Sequence, residues 1–273
     1  MGKSLKALFI GDIIGRPGRN ALYNLLPDLR KKFKPDLVIA NAENAASGFG
    51  LTEKVYSELV DKLRIDILTS GNHIWDKKEV FTFIDKADKL IRPYNYPRSD
   101  VPGQGFQIVT MNGVKVAIAN LIGCVFMGNF DSPFHRADDL LGEIGAEVKC
   151  IILDFHAEAT SEKNAIGWYL DGRVSAVIGT HTHVQTADER ILPGGTAYIS
   201  DAGMCGGIDS VIGVDKEKIL ERFLTQVPVK FTPAAGRAVV NGVFLEIDSE
   251  TGKALKCEPI REYTEVGNEK HLD

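Results

Sequence analysis

The sequence predicts an α/β protein with mixed sheets. Short apolar, β-branched segments that end in polar residues recur along the chain, separated by amphipathic stretches typical of helices. Asn112-Gly113 stands between two apolar runs and predicts a β-hairpin, so the strands are not all parallel. The 273 residues suffice for a full hydrophobic core, and because no repeat or linker is evident we expect one domain, residues 1–273.

The first third of the chain alternates strands and helices. Residues 5–10 are apolar enough for a buried strand, and residues 19–33 carry leucines on one helical face. Pro27 within that second stretch predicts a kink or a break. Residues 36–40 form the next predicted strand, and Thr52 is placed to cap the helix that follows.

The rest of the chain continues this alternation, with an irregular segment, 123–136, that could form a lid. The other predicted elements are a strand at 66–69, a helix at 77–86, the hairpin strands 103–110 and 114–121, a helix ending near 145, a strand at 148–153, a helix capped by Thr160 or Ser161 and ending near 170, strands at 174–178 and 196–200, a helix at 216–224, and a closing hairpin of 239–247 and 254–260.

The composition limits the classes of function. Apolar and charged fractions of 44% and 25% are ordinary for a globular protein, and the net charge of −5 disfavours a stable nucleic-acid complex. The four cysteines form no C-x-x-C pair, so we expect thiols in a reducing compartment. Apolar runs are too short for a membrane span or a signal peptide, which predicts a cytoplasmic protein. A homo-oligomer is left open.

Polar side chains able to bind metal follow five of the predicted strands. Ligands of open α/β sheets gather at the carboxyl ends of strands, where residues distant in sequence meet. Imidazole and oxygen donors without thiolate are typical of catalytic manganese, iron or zinc centres rather than of structural zinc sites. The candidates are Asp12, Glu43, Asn44, Asn72, His73, His156, His181 and His183.

Each candidate also has an ordinary explanation. Asp12 alone fits a turn or helix cap, and Glu43 with Asn44 fits a polar loop. His181 and His183 could be loop histidines, although in an extended segment residues i and i+2 point to the same side and could face one ion. His135, in the irregular segment, fits a surface or helix-start position. Four of the six histidines follow strands, and this shared placement favours a common site.

The motifs resemble those of the calcineurin-like metallophosphoesterase superfamily. Gly71-Asn72-His73 is similar to its GNH block, and Gly179-Thr180-His181-Thr182-His183 to its G-x-H-x-H block. Gly11-Asp12, Glu43 and His156 fall in the order of its remaining ligand blocks. The longer strings GDIIGRPGR, NAENAASGFGLT and GTHTHVQTAD resemble the bacterial YmdB-like phosphodiesterases, which act on cyclic nucleotides, notably the 2′,3′-cyclic forms. The similarity extends from Leu5 to beyond Gly206.

The resemblance implies a four-layer α-β-β-α sandwich that binds two divalent ions, iron or manganese, with zinc as a further candidate. The implied ligands are Asp12, Glu43, Asn44 and His183 for one ion, and Glu43, Asn72, His156 and His181 for the other, with Glu43 bridging. The sequence departs from the superfamily in two places. Ile14 stands where the first block, D-x-H, has its histidine, so Asn44 is the implied substitute. Glu43 stands where a bridging Asp is usual.

The implied reaction is hydrolysis of a phosphodiester by a metal-bridging hydroxide that attacks phosphorus in line. His73 is the candidate general acid, or else only contacts the neighbouring ligands. Asp154 and Asp201 could orient histidines or simply cap turns. A nucleotidase or nuclease with the same core, and a non-catalytic nucleotide-sensing protein, are the alternative functions.

Overall fold

The structure, a computed structural model, describes residues 4–264 and consists of two stacked β-sheets with helices outside. The strands are β1 (Ser4–Ile10), β2 (Asp12–Ile13), β3 (Leu37–Asn41), β4 (Ile67–Thr69), β5 (Phe106–Met111), β6 (Val114–Ile122), β7 (Cys150–His156), β8 (Ala176–Thr180), β9 (Arg190–Ile191), β10 (Ala197–Ile199), β11 (Met204–Gly207), β12 (Ser210–Val211), β13 (Val214–Asp215), β14 (Ala238–Asp248) and β15 (Ala254–Tyr263). The α-helices are α1 (Gly15–Phe33), α2 (Glu53–Ser57), α3 (Val80–Phe83), α4 (Pro133–Ile144), α5 (Thr160–Tyr169) and α6 (Lys216–Thr225).

Both large sheets are mixed. The first has the order β2-β11-β14-β1-β3-β4, with β15 paired to β14, and its strands β1, β3 and β4 run parallel. The second has the order β5-β6-β7-β8-β10-β9, with a parallel centre and antiparallel edge strands. The parallel strands of each sheet therefore end at one edge, where their following residues can meet.

Three hydrophobic clusters separate the layers. Side chains of alternating residues, such as Phe9 and Ile39 of the first sheet and Ile152 and Ile178 of the second, fill the space between the sheets. The outer face of the first sheet packs against α1 and α2, and that of the second against α4 and α5. The structure thus confirms the predicted four-layer α-β-β-α sandwich.

Helix α1 begins earlier than predicted and is continuous through Pro27. It begins at Gly15 rather than near residue 19, because Pro17 in the first turn needs no intrahelical partner for its missing N–H. It also continues through Pro27, which excludes the break that was one of the two predicted outcomes, a kink or a break. Pro27 is exposed, so its ring lies on the solvent side of the helix.

Two other helical predictions need correction. Thr52 caps α2 as expected, because its hydroxyl accepts a 3.3 Å bond from the Val55 N–H. Helix α5 is different: its N-cap residue is Ala159 rather than Thr160 or Ser161, so no side chain caps it. The predicted helix 77–86 is reduced to the single turn of α3 and a 3₁₀ turn, Ile84–Lys86.

The predicted hairpins are confirmed. Asn112 and Gly113 both have positive φ, 51° and 83°, as a type I′ turn between β5 and β6 requires. The closing hairpin is β14 with β15. All four cysteines are free thiols. Across residues 4–264, no helix combines the length and the apolar character that crossing a membrane would require.

Candidate metal centre

The edge at which the parallel strands of both sheets end brings together all seven predicted metal ligands. Asp12 lies at the start of β2, just past β1, and Glu43 and Asn44 follow β3. Asn72 follows β4, His156 is the last residue of β7, and His181 and His183 follow β8. Stacking of the two sheets places the carboxyl ends of their central strands side by side, which explains why residues so distant in sequence are neighbours.

One group of donors surrounds the His156 ring. Its Nε2 lies 3.0 Å from Asn72 Oδ1, 3.2 Å from Glu43 Oε2 and 3.1 Å from His181 Nδ1. Glu43, His156 and His181 each direct one ligand atom to a common region, with these atoms within 4.8 Å of one another. Two nitrogens and two oxygens around one point are a suitable set for a divalent transition metal.

A second group shares Glu43 with the first. Asp12, Glu43 and His183 also have ligand atoms within 4.8 Å of one another. The Asn44 carboxamide lies between them, with Nδ2 3.0 Å from Glu43 Oε1 and 3.2 Å from His183 Nε2. A half-turn of this amide exchanges nitrogen for oxygen, so Asn44 can present a ligand atom at the same place.

Two buried oxygen atoms in these groups lack hydrogen-bond partners among the described residues. They are Asp12 Oδ1 and Asn44 Oδ1, both on predicted ligands. A buried polar atom without a partner is unfavourable, and such atoms in native structures commonly bind an ion or water. The donor set therefore fits divalent cations.

The charges in the cluster favour the same conclusion. Burial strongly raises the pKa of Asp12. Burial would lower the pKa of His156, but the Glu43, Asp12 and Asp154 carboxylates outweigh it and raise this pKa to about 9, so a positive charge is favoured here. Burial lowers the pKa of His181 to about 3 and also lowers the pKa of His183. Both shifts favour the neutral imidazole, which is the form that binds metal.

The loop that carries His181 and His183 is not extended as the sequence suggested. Their φ angles are 96° and 65°, in the left-handed region that non-glycine residues rarely adopt. The two rings face the cluster because of this loop conformation, and not because of strand alternation. Strained residues of this kind concentrate at functional sites and need surrounding structure to hold them.

Asp201 holds this loop through Thr182, the residue between the two histidines. Asp201 Oδ2 accepts bonds from the Thr182 N–H at 3.0 Å and from its hydroxyl at 2.7 Å. The same oxygen accepts a 2.8 Å bond from Lys163 Nζ, and both charged side chains are buried. The Gly203 N–H bonds to the other oxygen at 2.8 Å. Asp201 thus anchors the loop, although it contacts neither histidine ring.

Asp154 acts on His156 through an intermediate hydroxyl. The Thr180 hydroxyl donates to Asp154 Oδ1 at 2.6 Å and lies 2.9 Å from His156 Nδ1. Asn41 Nδ2 donates to the other oxygen of Asp154 at 3.0 Å. With Nδ1 occupied in this way, Nε2 is the ring nitrogen left for a metal. The sequence analysis did not single out Thr180 or Asn41, because hydroxyl and amide residues at strand ends are too common to stand out.

The backbone carbonyl of Ile212 plays a comparable part for His183. It lies 2.9 Å from His183 Nδ1, which leaves Nε2 directed to Asn44. Gly71 permits the close approach of β4 to the ligands, since a Cβ there would lie 2.3 Å from both Glu43 Oε2 and His156 Nε2.

A cavity of about 380 Å³ opens over these groups. His73 lines it, and its Nδ1 pairs with Asp76 Oδ2 at 2.8 Å, while its backbone N–H bonds to Glu43 Oε2 at 3.2 Å. Glu158, which also lines the cavity, lies 3.2 Å from His181 Nε2. His73 is thus next to the candidate ligands and open to a substrate.

The comparisons with known proteins agree with this geometry. The chain is 52% identical over 256 residues to the 2′,3′-cyclic-nucleotide 2′-phosphodiesterase of Bacillus subtilis (strain 168), covering 94% of this chain and 96% of the relative. A crystal structure described as a novel phosphatase from Mycoplasma pneumoniae has a TM-score of 0.91 at 39% identity, covering 98% and 96% of the two chains.

A more distant structure, the 5′-nucleotidase precursor of Thermus thermophilus, shares the fold with a TM-score of 0.56 at 15% identity, covering 97% of this chain and 55% of that one. The family described as YmdB-like protein matches residues 8–260, nearly the whole chain. The resemblance to the YmdB-like phosphodiesterases is confirmed, and the chain belongs to the YmdB-like family.

Proposed function

We propose that this protein is a dinuclear metal-dependent phosphodiesterase that hydrolyses 2′,3′-cyclic nucleotides. The observation that carries the proposal is the position of Glu43, whose two carboxylate oxygens face two separate groups of donors. Asn72, His156 and His181 complete the first group, and Asp12, Asn44 and His183 complete the second. The activity of the Bacillus subtilis relative supports the choice of substrate.

Iron or manganese is the proposed pair of ions, with zinc as a further candidate, because imidazole, carboxylate and carboxamide donors suit these metals. Bound ions would supply Lewis-acid activation of water and neutralise charge on the phosphoryl oxygens. Glu43 and Asp12 contribute the negative charge that attracts the cations, and the buried setting strengthens that attraction. The carbonyl of Ile212 and the hydroxyl of Thr180 keep the ring nitrogens of His183 and His156 oriented.

His73 is the proposed general acid. Its Nδ1 is held by Asp76, so Nε2 remains to deliver a proton to the leaving oxygen of the ester. In a 2′,3′-cyclic phosphate that oxygen belongs to the ribose, and protonating it lets the ring open to a nucleoside monophosphate. The Phe49 and His73 rings pack edge to face, with their centroids 5.0 Å apart.

The test combines metal analysis with three substrates. Protein purified without added metal is analysed for metal content and then assayed with 2′,3′-cyclic AMP, a nucleoside monophosphate and an oligonucleotide. We expect two ions per chain and the highest kcat/KM for the cyclic nucleotide. A preference for the monophosphate or for the oligonucleotide would instead identify a nucleotidase or a nuclease.

Two variants separate catalysis from sensing. Glu43→Gln should lower the metal content, because it removes the charge shared by both groups. His73→Ala should keep the metal content but lower kcat by about 10²–10⁴-fold, the usual contribution of a general acid. If wild type and His73→Ala both bind cyclic nucleotide without hydrolysing it, the protein is a nucleotide sensor and the proposal is wrong.

A further inference from the structure

The cavity above the candidate metal centre is lined in part by apolar residues. We call this surface the apolar wall, and it consists of Ile14, Phe49, Ile212, Val214 and Phe231. We call the polar residues that line the same cavity the polar floor; they are Glu43, Asn44, His73, Glu158, His181, Thr182 and His183. A cavity with a cation-binding floor and an apolar wall fits a ligand that has a phosphate at one end and an apolar ring at the other.

Ile212 occupies an unusual backbone position on this wall. It forms with Gly213 the two-residue turn between β12 and β13, and both residues have positive φ, 47° and 91°. A type I′ turn of this kind favours Asn, Asp or Gly, and a β-branched residue there is a genuine outlier. The Ile212 side chain is also 47% exposed, so packing within the protein does not explain it. Its place at the cavity rim points to a ligand.

The aromatic members of the apolar wall are fixed relative to this turn. The Phe49 and Phe231 rings are roughly parallel, with an interplanar angle of 25° and centroids 6.1 Å apart. The Ala234 N–H bonds to the Gly213 carbonyl at 2.9 Å, which ties the segment of Phe231 to the turn. The wall is therefore a preformed surface rather than a set of independent side chains.

We propose that the apolar wall is the nucleobase-binding surface of the phosphodiesterase site, with the base packed on Phe49, Phe231 and Ile212 while the cyclic phosphate lies over the polar floor. This inference rests on the proposed function and extends it to substrate recognition. Aromatic rings stack with every base, and the five side chains of the wall offer no hydrogen bonds to base edges. We therefore expect purine and pyrimidine 2′,3′-cyclic nucleotides to be accepted, with purines preferred for their larger stacking area.

The test uses Ile212→Asn and two cyclic phosphates that differ in the base. Asparagine suits the first central position of a type I′ turn, so this variant should unfold at a temperature no lower than wild type. The carbonyl that contacts His183 is retained. The measured quantity is kcat/KM for 2′,3′-cyclic AMP divided by kcat/KM for glycerol cyclic 1,2-phosphate, which has the ester but no base. We expect this ratio to fall about tenfold in Ile212→Asn and in Phe49→Ala, mainly through KM.

Ile191→Asn is the matched control, because Ile191 has a similar exposure of 41% but lies on the edge strand β9. Its ratio should equal that of wild type. A ratio within twofold of wild type in both Ile212→Asn and Phe49→Ala would overturn the proposal for the apolar wall, while leaving the phosphodiesterase activity established. If wild type hydrolyses neither ester, the proposed function is wrong. The wall is then tested by calorimetry with adenosine 3′-monophosphate and glycerol phosphate, where Ile212→Asn must weaken binding of the nucleotide alone.

Discussion

Lys163→Met removes the cation that contacts the buried carboxylate of Asp201. The two side chains are 2% and 1% exposed and their atoms lie 2.8 Å apart, so water does not reach either charge. Methionine preserves the length and the apolar stem of lysine but leaves the carboxylate without its partner. The substitution therefore tests whether this ion pair holds the loop of His181 and His183.

The expected loss of stability follows from the contacts that remain. Breaking a buried ion pair by removing one partner costs about 3–5 kcal/mol. Asp201 keeps three other bonds, two from Thr182 and one from the Gly203 N–H, so we expect the lower end, about 3 kcal/mol. Urea unfolding of the metal-free protein measures this quantity. Replacing both charges, in Lys163→Met/Asp201→Asn, should recover part of the loss, because the uncompensated buried charge is gone.

The effect on the site is measured separately. Without Lys163 the Asp201 carboxylate is held less firmly, so its bonds to Thr182 constrain the left-handed conformation of His181 and His183 less, and metal affinity should fall about 10–100-fold. Lys31→Met is the control, because Lys31 pairs with Asp28 on the surface, where the side chains are 79% and 74% exposed. Equal stability losses in Lys163→Met and Lys31→Met, or wild-type metal affinity in Lys163→Met, would refute the reasoning.

Three further outcomes are expected. Gly71→Ala should abolish metal binding, since the added Cβ would lie 2.3 Å from atoms of Glu43 and His156. The control Gly142→Ala in α4 should retain metal, because a Cβ there meets nothing within 4 Å. Elemental analysis measures the metal content of both variants. Thr180→Val should lower metal affinity about 10–100-fold by removing the bond to His156 Nδ1, measured by competition with a chelator. Adding metal at about 100 times its Kd should stabilise the metal-free protein by about 2.7 kcal/mol per site, measured by urea unfolding, and much less in Glu43→Gln.

The positions of the candidate ligands could be predicted because they depend on one regular feature, the polar residue that follows a buried strand. Glu43 and His156 are examples, since each follows a run of buried residues. Asn112-Gly113 could be predicted for a similar reason, as its turn depends on two adjacent residues. In these cases the residues that determine the local structure are adjacent in the sequence.

The residues that hold the ligands could not be predicted, because their partners are distant in sequence and chemically ordinary. Lys163 looks like a surface residue of α5, and only the approach of Asp201 from the end of β10 explains its burial. The left-handed backbone of His181 likewise depends on that anchor. The sequence could not show whether Pro27 would break α1, because the neighbouring residues Leu26 and Leu29 are held in the core by tertiary packing.

Ile14 connects the departure from the superfamily pattern with both proposals. It stands where the D-x-H block would supply a ligand histidine, yet it is only 2% exposed. Ile14 packs against the turn of Ile212 and Gly213, since a Cβ on Gly213 would lie 3.0 Å from the Ile14 side chain. Under the two proposals, isoleucine at this position extends the apolar wall, and Asn44, whose buried Oδ1 lacks a partner among the described residues, takes the place of the missing histidine as a ligand. We therefore expect Asn44→Ala to bind one ion fewer per chain than wild type, whereas the double variant Ile14→His/Asn44→Ala should retain both ions. Ile14→His should also weaken the preference for substrates that carry a base. If the double variant also lost the ion, the position of Ile14 would not be able to supply a ligand, and Ile14 would be only a packing residue.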